Sequence, residues 1–333
     1  MFLRAASFAL CLFGLPAAAQ CVGDGYLDQL DAAERASLDA AAAQTPFGQG
    51  LVWDATKDGK RALLIGTMHI YDPRLEAIRD QVKSRVQGTD LLLVEATSDQ
   101  EVELQNLIVT DPGILFITEG PTLPELLDDE TWEAIADAAS ARSIPGFMAS
   151  KMQPWYLSMM LSIPPCAMQD LTQGNRGLDH MIMQDAAAAG VPMQSLESVM
   201  TLFEIFQQDP MDEQIDMLRV NILAPEQQRQ MFVSMLDRYF DGDIATLWEM
   251  SRLAISQTPG MSADEASALF TQTENALLID RNRNWMPVIG DAVDQHDDVV
   301  IAVGAAHLMG VEGLLQFLSD DGWTLDQLPS TSP

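Results

Sequence analysis

Ala62-Leu-Leu-Ile-Gly-Thr-Met-His69 and Val299-Val-Ile-Ala-Val-Gly-Ala-Ala-His307 carry one phrase twice: an apolar run, then Gly-x-x-His. Each run is rich in aliphatic and β-branched residues, the composition of a strand buried on both faces. Glycine at the strand end permits a tight turn and a close backbone approach. The histidine that follows lies just past the carboxyl end of its strand, where open α/β sheets place their ligands. The chain has four histidines, and two of them stand in this repeated phrase. Two imidazoles are therefore expected to converge on one site.

The segments on either side extend the pattern. A helix rich in Ala and Leu is expected over 27–43. Leu51-Val-Trp53 reads as a strand, and Asp58-Gly59-Lys60 as a turn leading into the first phrase. Residues 73–87 are amphipathic, with Pro73 suited to a first helical position. Asp90-Leu-Leu-Leu-Val-Glu95 follows as a strand, which makes a parallel strand–helix–strand crossover. A second unit runs from a helix at about Leu178–Ala189, stopped by Gly190, into the short strand Val191–Leu196 and Glu197. The end of the chain reads as a helix at 274–293, a strand at 299–303 and a helix at 311–319 stopped by Gly322. The expected fold class is α/β: a central, mostly parallel sheet with flanking helices. Its core is drawn from about 50–100, 175–197 and 275–328. Two helical insertions, about 101–170 and 200–275, are expected to cover the carboxyl edge, within a single domain over 20–333.

Arg4, the apolar stretch Ala5–Leu15, Pro16 and Ala17-Ala18-Ala19 have the order of a secretory signal cleaved after Ala19. The apolar part is too short to span a bilayer, and no later run is long enough. A periplasmic or secreted location is expected. Removal of residues 1–19 takes Cys11 with it and leaves Cys21 and Cys166, an even pair in an oxidising compartment, expected to form one disulfide. The formal net charge is −31, a field that repels nucleic acid and anionic membranes and attracts cations. Salt-adapted solubility accounts for such acidity equally well, so charge permits a metal site without showing one.

His69, Glu95, Glu197 and His307 each follow a predicted strand. A parallel sheet gathers such ends along one edge. Two imidazoles with one or two carboxylates suit Zn²⁺, Mn²⁺ or Co²⁺, and they suit equally a metal-free pair in which a carboxylate orients a histidine that activates water. In the last long helix Leu278, Arg281, Asn282, Trp285, Ile289 and Ala292 share one face. Arg281 and Asn282 interrupt its apolar stripe, and an inward charge needs a partner: a site carboxylate, a substrate oxyanion or a purely structural ion pair. His180, beside Asp179 at a helix start, and His296, in Asp-Gln-His-Asp-Asp, are weaker candidates. The 19 methionines read as core packing. No Gly-x-Ser-x-Gly, Walker loop, Gly-x-Gly-x-x-Gly or His-Glu-x-x-His is present, and bridged cysteines leave no catalytic thiol.

Gly66-Thr-Met-His69 and Gly304-Ala-Ala-His307-Leu-x-Gly310, with Glu95 between them, resemble the TraB/PrgY/GumN family. So do Lys151-Met-Gln-Pro-Trp155, Gly177-Leu-Asp179, Leu196-Glu197 and Arg281-Asn282-x-x-Trp285. That family is similar in turn to the TIKI proteins, membrane-anchored proteases of animals, and more distantly to erythromycin esterases and a haem-binding lipoprotein group. The resemblance implies an α/β fold with helical insertions. By analogy with TIKI it implies metal-dependent peptide hydrolysis, with His69, Glu95 and His307 at the matching positions. It names no substrate.

The leading expectation is an exported hydrolase, a divalent-metal peptidase acting on a peptide or other small substrate. Water is activated at the His/Glu/His site, and Arg281 or Asn282 stabilises the oxyanion. The alternatives are a metal-free His/Glu esterase-like hydrolase and a non-enzymatic binder of haem, metal or a polysaccharide-export partner. The sequence leaves the oligomeric state open.

Overall fold

The computed structural model describes residues 21–329, apart from Gln208, Asn221, Leu223 and Pro259. The expected signal segment, residues 1–19, lies outside the described residues. One mixed sheet organises the chain. Its strands are β1 (Val52–Lys57), β2 (Lys60–Thr67), β3 (Leu91–Val94), β4 (Met193–Ser195), β5 (Asp298–Gly304) and β6 (Thr324–Gln327), in the order β4-β3-β5-β2-β1-β6.

Four of the six, β4, β3, β5 and β2, run parallel, and β2, β3 and β5 carry the apolar runs of strands buried on both faces. At the other side β1 pairs antiparallel with β2, and β6 antiparallel with β1. The β1–β2 reversal follows from Asp58-Gly59, both at positive φ (50° and 85°), the backbone that a two-residue hairpin turn requires and that Asp-Gly adopts readily. β6 has the sequence Thr-Leu-Asp-Gln and lies half-buried to exposed at the sheet edge. It carries no alternation from which a strand could be read.

Alternate side chains of the central strands enter two separate cores. Leu63, Ile65, Leu92, Val94, Val300 and Ala302 pack with the helices Leu75–Gly88, Leu178–Ala189 and Pro225–Phe240. Ala62, Leu64, Leu91, Leu93, Ile301 and Val303 face the opposite way, onto Trp285 and Ile289 of the helix Asp280–Gln295 and Leu314, Leu315 and Leu318 of the helix Leu314–Asp320. Helices from the two long stretches share a further core, in which Leu157 and Leu161 meet Ile215 and Leu218. No helix among the described residues is long and apolar enough to cross a membrane.

The parallel pairing of β2 with β5 matches Gly66 with Val303 and Thr67 with Gly304. The two Gly-x-x-His phrases thus lie side by side and leave the sheet at the same edge. Asn275–Ile279 form a wider, π-type turn just before the helix Asp280–Gln295. Such turns redirect the side chains that follow, and the next residues are Asp280, Arg281 and Asn282.

Cys21 and Cys166 are bridged, with 145 residues between them in sequence and Cα atoms 5.4 Å apart. The bond ties the start of the described chain to the helix Pro165–Thr172. A link across so long a loop removes much denatured-state freedom. Cys166→Ser should therefore lower the unfolding free energy by about 2–4 kcal/mol, measured by urea denaturation. An unchanged midpoint would show that the bridge carries no stability.

Candidate active site

Glu95 immediately follows β3, separated from it by no turn, and accepts the Gly304 N–H at the end of β5 at 2.7 Å. Gly304 matters here because a Cβ at that position would press on the Glu95 carboxylate at 3.3 Å. Glu197 stands two residues past β4. Arg281 reaches between the two carboxylates: Nη2 donates to Glu95 Oε2 at 2.6 Å, and Nε to Glu197 at 3.0 and 3.2 Å. Nη1 donates to the Leu277 carbonyl and meets Nε2 of His307, both at 3.1 Å. The Trp285 indole N–H donates to Glu197 at 3.0 Å, and the guanidinium lies over the Trp285 ring. The charge that interrupts the apolar stripe is thus bound by two carboxylates, a sound solution for a cation that is 6% exposed.

Asn282 sets the state of His307. Its amide nitrogen donates to the carbonyls of Glu312 (2.8 Å) and His307 (3.3 Å), so its oxygen must accept from Nδ1 of His307, at 2.7 Å. The proton of the neutral ring is therefore on Nδ1, and the Nε2 lone pair receives the Arg281 N–H. Burial pushes His307 down to about 3, with Arg281 and His69 in the same direction and Glu95 opposing. Burial works against the charged form of Glu95 as well, but the positive groups it faces and the Gly304 N–H hold it at about 2.

His69 belongs to the same edge but makes a different set of contacts. Its Nδ1 lies 3.4 Å from Asp179 Oδ2, and 63% of its side-chain surface is open. The surrounding protein would depress it, yet the hydrogen bond and charge of Asp179, with Glu95 behind, raise it to about 9 against the opposing charge of Arg281. Asp179 Oδ2 also takes His180 Nδ1 at 2.9 Å, and His180 Nε2 meets Glu101 at 2.8 Å. Those two carboxylates raise His180 to about 9. Asp179 Oδ1 is buried with no partner among the described residues. Gly177 makes the arrangement possible, because a Cβ there would collide with the backbone of Met68 and His69, onto which the Leu178 N–H donates at 2.9 Å.

The structure brings Glu95, Glu197, Arg281, Asn282 and His307 into direct contact and sets His69 beside them. An acid in a first helical turn, as Asp179 is, needs no explanation beyond the helix dipole, so its partnership with His69 is not read from that position alone. The signal for it was the Gly177-Leu-Asp179 motif, since glycine before a helix start marks a close approach. Glu101 and His180 carried no such signal. His296 makes no contact with these residues.

Among the described residues no group of three or more His, Cys, Asp or Glu is arranged to hold a metal ion. The local chemistry gives the reason. The Nε2 lone pair of His307 and both oxygens of Glu95 are engaged, and the fixed charge of Arg281 lies among them. In this arrangement the residues do not fit a shared divalent ion unless Arg281 withdraws.

An α/β sheet with a buried Arg–Glu–Glu–His cluster on its carboxyl edge defines the class of the protein. The TraB/PrgY/gumN family model matches residues 51–327, and the chain belongs to that family. No curated protein and no solved structure matches it.

A histidine just past a strand end is expected outside the packed core; His69 is open to solvent, whereas His307 is 3% exposed and packed on the Trp285 ring at 4.4 Å. His307→Ala should lower the unfolding free energy by about 2–4 kcal/mol, through a cavity and two lost hydrogen bonds. His69→Ala should change it by no more than about 1 kcal/mol. Equal losses in chemical denaturation would contradict this division.

Proposed function

We propose that the protein is a hydrolase whose fixed cation is Arg281 rather than a metal ion, with His69 as the group that exchanges protons. One observation carries this reading: the donors expected to surround an ion, Glu95, Glu197 and His307, converge on one guanidinium. His69 is the titratable group of this edge with an open face. With Nδ1 held by Asp179, its Nε2 points away from that partner. The neutral ring takes a proton from water as the oxygen attacks an acyl carbon, and returns it to the leaving group as the carbon–heteroatom bond breaks. The oxyanion is met by Arg281, which must exchange one of its carboxylate contacts to receive it. The metal-dependent peptidase implied by the TIKI analogy would need Arg281 to release His307 and Glu95 first. A periplasmic site of action, expected from residues 1–19, fits the Cys21–Cys166 bridge.

A second reading, a binding protein without turnover, is favoured by one observation: Arg281 and His307 are buried and saturated by their neighbours beside a large cleft. Esterase and peptidase screens with and without chelator separate the readings. The hydrolase reading expects chelator-resistant turnover that His69→Ala abolishes. Ligand binding without turnover supports the binder, and turnover restored only by Mn²⁺, Co²⁺ or Zn²⁺ supports the metallopeptidase.

The pH profile follows from the sign of the His69 shift. Asp179 raises the imidazole, so below about 9 the ring is protonated and can only donate; the base form appears as pH rises through that value. The expected kcat/KM rises toward an alkaline limb near pH 9. Asp179→Asn removes the stabilising charge and should move that limb to lower pH by one unit or more, on the order of what a neighbouring opposite charge contributes. A limb that stays in place in Asp179→Asn would rule out His69 as the base.

A further inference from the structure

A cleft of about 1340 Å³ opens beside the site, and Arg281 forms part of its wall. It lies between the helices Pro154–Ser162, Met200–Gln207, Met211–Val220 and Ala263–Glu274 and the wide turn after the last of them. Its volume exceeds the roughly 300–1,000 Å³ of ordinary small-molecule pockets, which suits a large ligand.

Charge is one determinant of what fits. Five acidic side chains line the cleft: Asp209, Glu213, Asp216, Asp264 and Asp280. The single basic one is Arg281, already bound by Glu95 and Glu197. Asp216 and Asp280 are answered by Arg219 and Arg283 outside the lining. Asp209, Glu213 and Asp264 have no ion-pair partner among the described residues. Between the acids the walls are apolar, with Trp155, Phe206, Ile205 and Met159 prominent.

An independent observation points to an amide. The Trp155 indole N–H and the Gln214 side-chain oxygen have no hydrogen-bond partner among the described residues, although the two residues are only 6% and 8% exposed. Both residues line the cleft. An unpaired buried donor or acceptor is costly to leave unmet. A ligand whose carbonyl and N–H groups reach these atoms after a side-chain shift, as an amide-bearing chain can, removes that cost.

We infer that the cleft binds a cationic amphiphile bearing amide groups, either a basic peptide or an N-acylated polyamine. Its apolar part lies against Trp155 and Phe206, its positive charges face Asp209, Glu213 and Asp264, and its amide groups meet Trp155 and Gln214. The inference rests on the hydrolase reading only in treating Arg281 as the point where bound ligand meets the site.

Fluorescence anisotropy with the full mature chain tests it without any need for turnover. The probe is a labelled, amidated peptide of alternating Lys and Leu; its Glu-for-Lys counterpart and a dodecanoylated spermine serve as competitors. The Lys peptide should bind and the Glu peptide should not. The triple variant Asp209→Asn, Glu213→Gln, Asp264→Asn should weaken binding about tenfold, the sum of three modest exposed charge contacts. The triple variant Asp129→Asn, Glu130→Gln, Glu133→Gln removes the same charge from an exposed helix outside the lining and should leave affinity within about twofold, because distant surface charge is screened. Trp155→Phe keeps an aromatic side chain, smaller and without the N–H, and should also bind more weakly. Binding is read without turnover, so failure of the hydrolase reading alone leaves this result standing. Competition by the acylated spermine, or its absence, decides between the two sources. Equal losses in the two triple variants, equal binding of the Glu peptide, or no binding of either cation overturns the inference.

Discussion

The guanidinium of Arg281, held between the carboxylates of Glu95 and Glu197 with His307 on its third side, is the contact on which the rest of this site depends. It joins the ends of β3, β4 and β5 to the helix Asp280–Gln295. Removing either kind of charge from so buried a set leaves the other unpaired, at a cost of about 3–5 kcal/mol. Each other partner settles what remains: Trp285 donates a further hydrogen bond to Glu197 Oε2, Leu277 takes a spare guanidinium hydrogen, and Asn282 fixes the His307 tautomer.

The fold makes this convergence inexpensive in chain geometry. Parallel strands deliver their carboxyl ends to one edge, and the β2–β5 register sets the two Gly-x-x-His phrases side by side. The two histidines nevertheless diverge in character. One is neutral, buried and an acceptor; the other is open to solvent and positively charged until alkaline pH. The difference comes from their partners, an amide for His307 and a carboxylate for His69. A single edge thus carries a fixed cation and a titratable one, and a large cleft lined by acidic residues reaches the fixed one.

Much of this arrangement is legible in the amino-acid sequence. The apolar runs specify the central strands because burial on both faces leaves no polar position in them. The inward stripe of the helix Asp280–Gln295 specifies Arg281 and Asn282 as residues in need of partners. Which partner each takes is not written there. Histidines and glutamates at strand ends satisfy the ligand pattern of an ion, and nothing in their spacing reveals that a guanidinium from a helix many residues away enters among them. Asp179 is hidden for a related reason, since an acid in a first helical turn needs no further explanation. β6 is illegible because a half-exposed edge strand has no apolar alternation to read.

The central claim, that a guanidinium takes the place of an ion, is tested most directly on His307 itself. Long-range ¹H–¹⁵N correlation of the imidazoles reports tautomer and ligation together. The account predicts a neutral His307 ring with the proton on Nδ1 throughout pH 5 to 9, and no change in its Nε2 resonance when zinc is added. A His307 Nε2 resonance that shifts with one equivalent of zinc, or a ring that titrates in that interval, would contradict it.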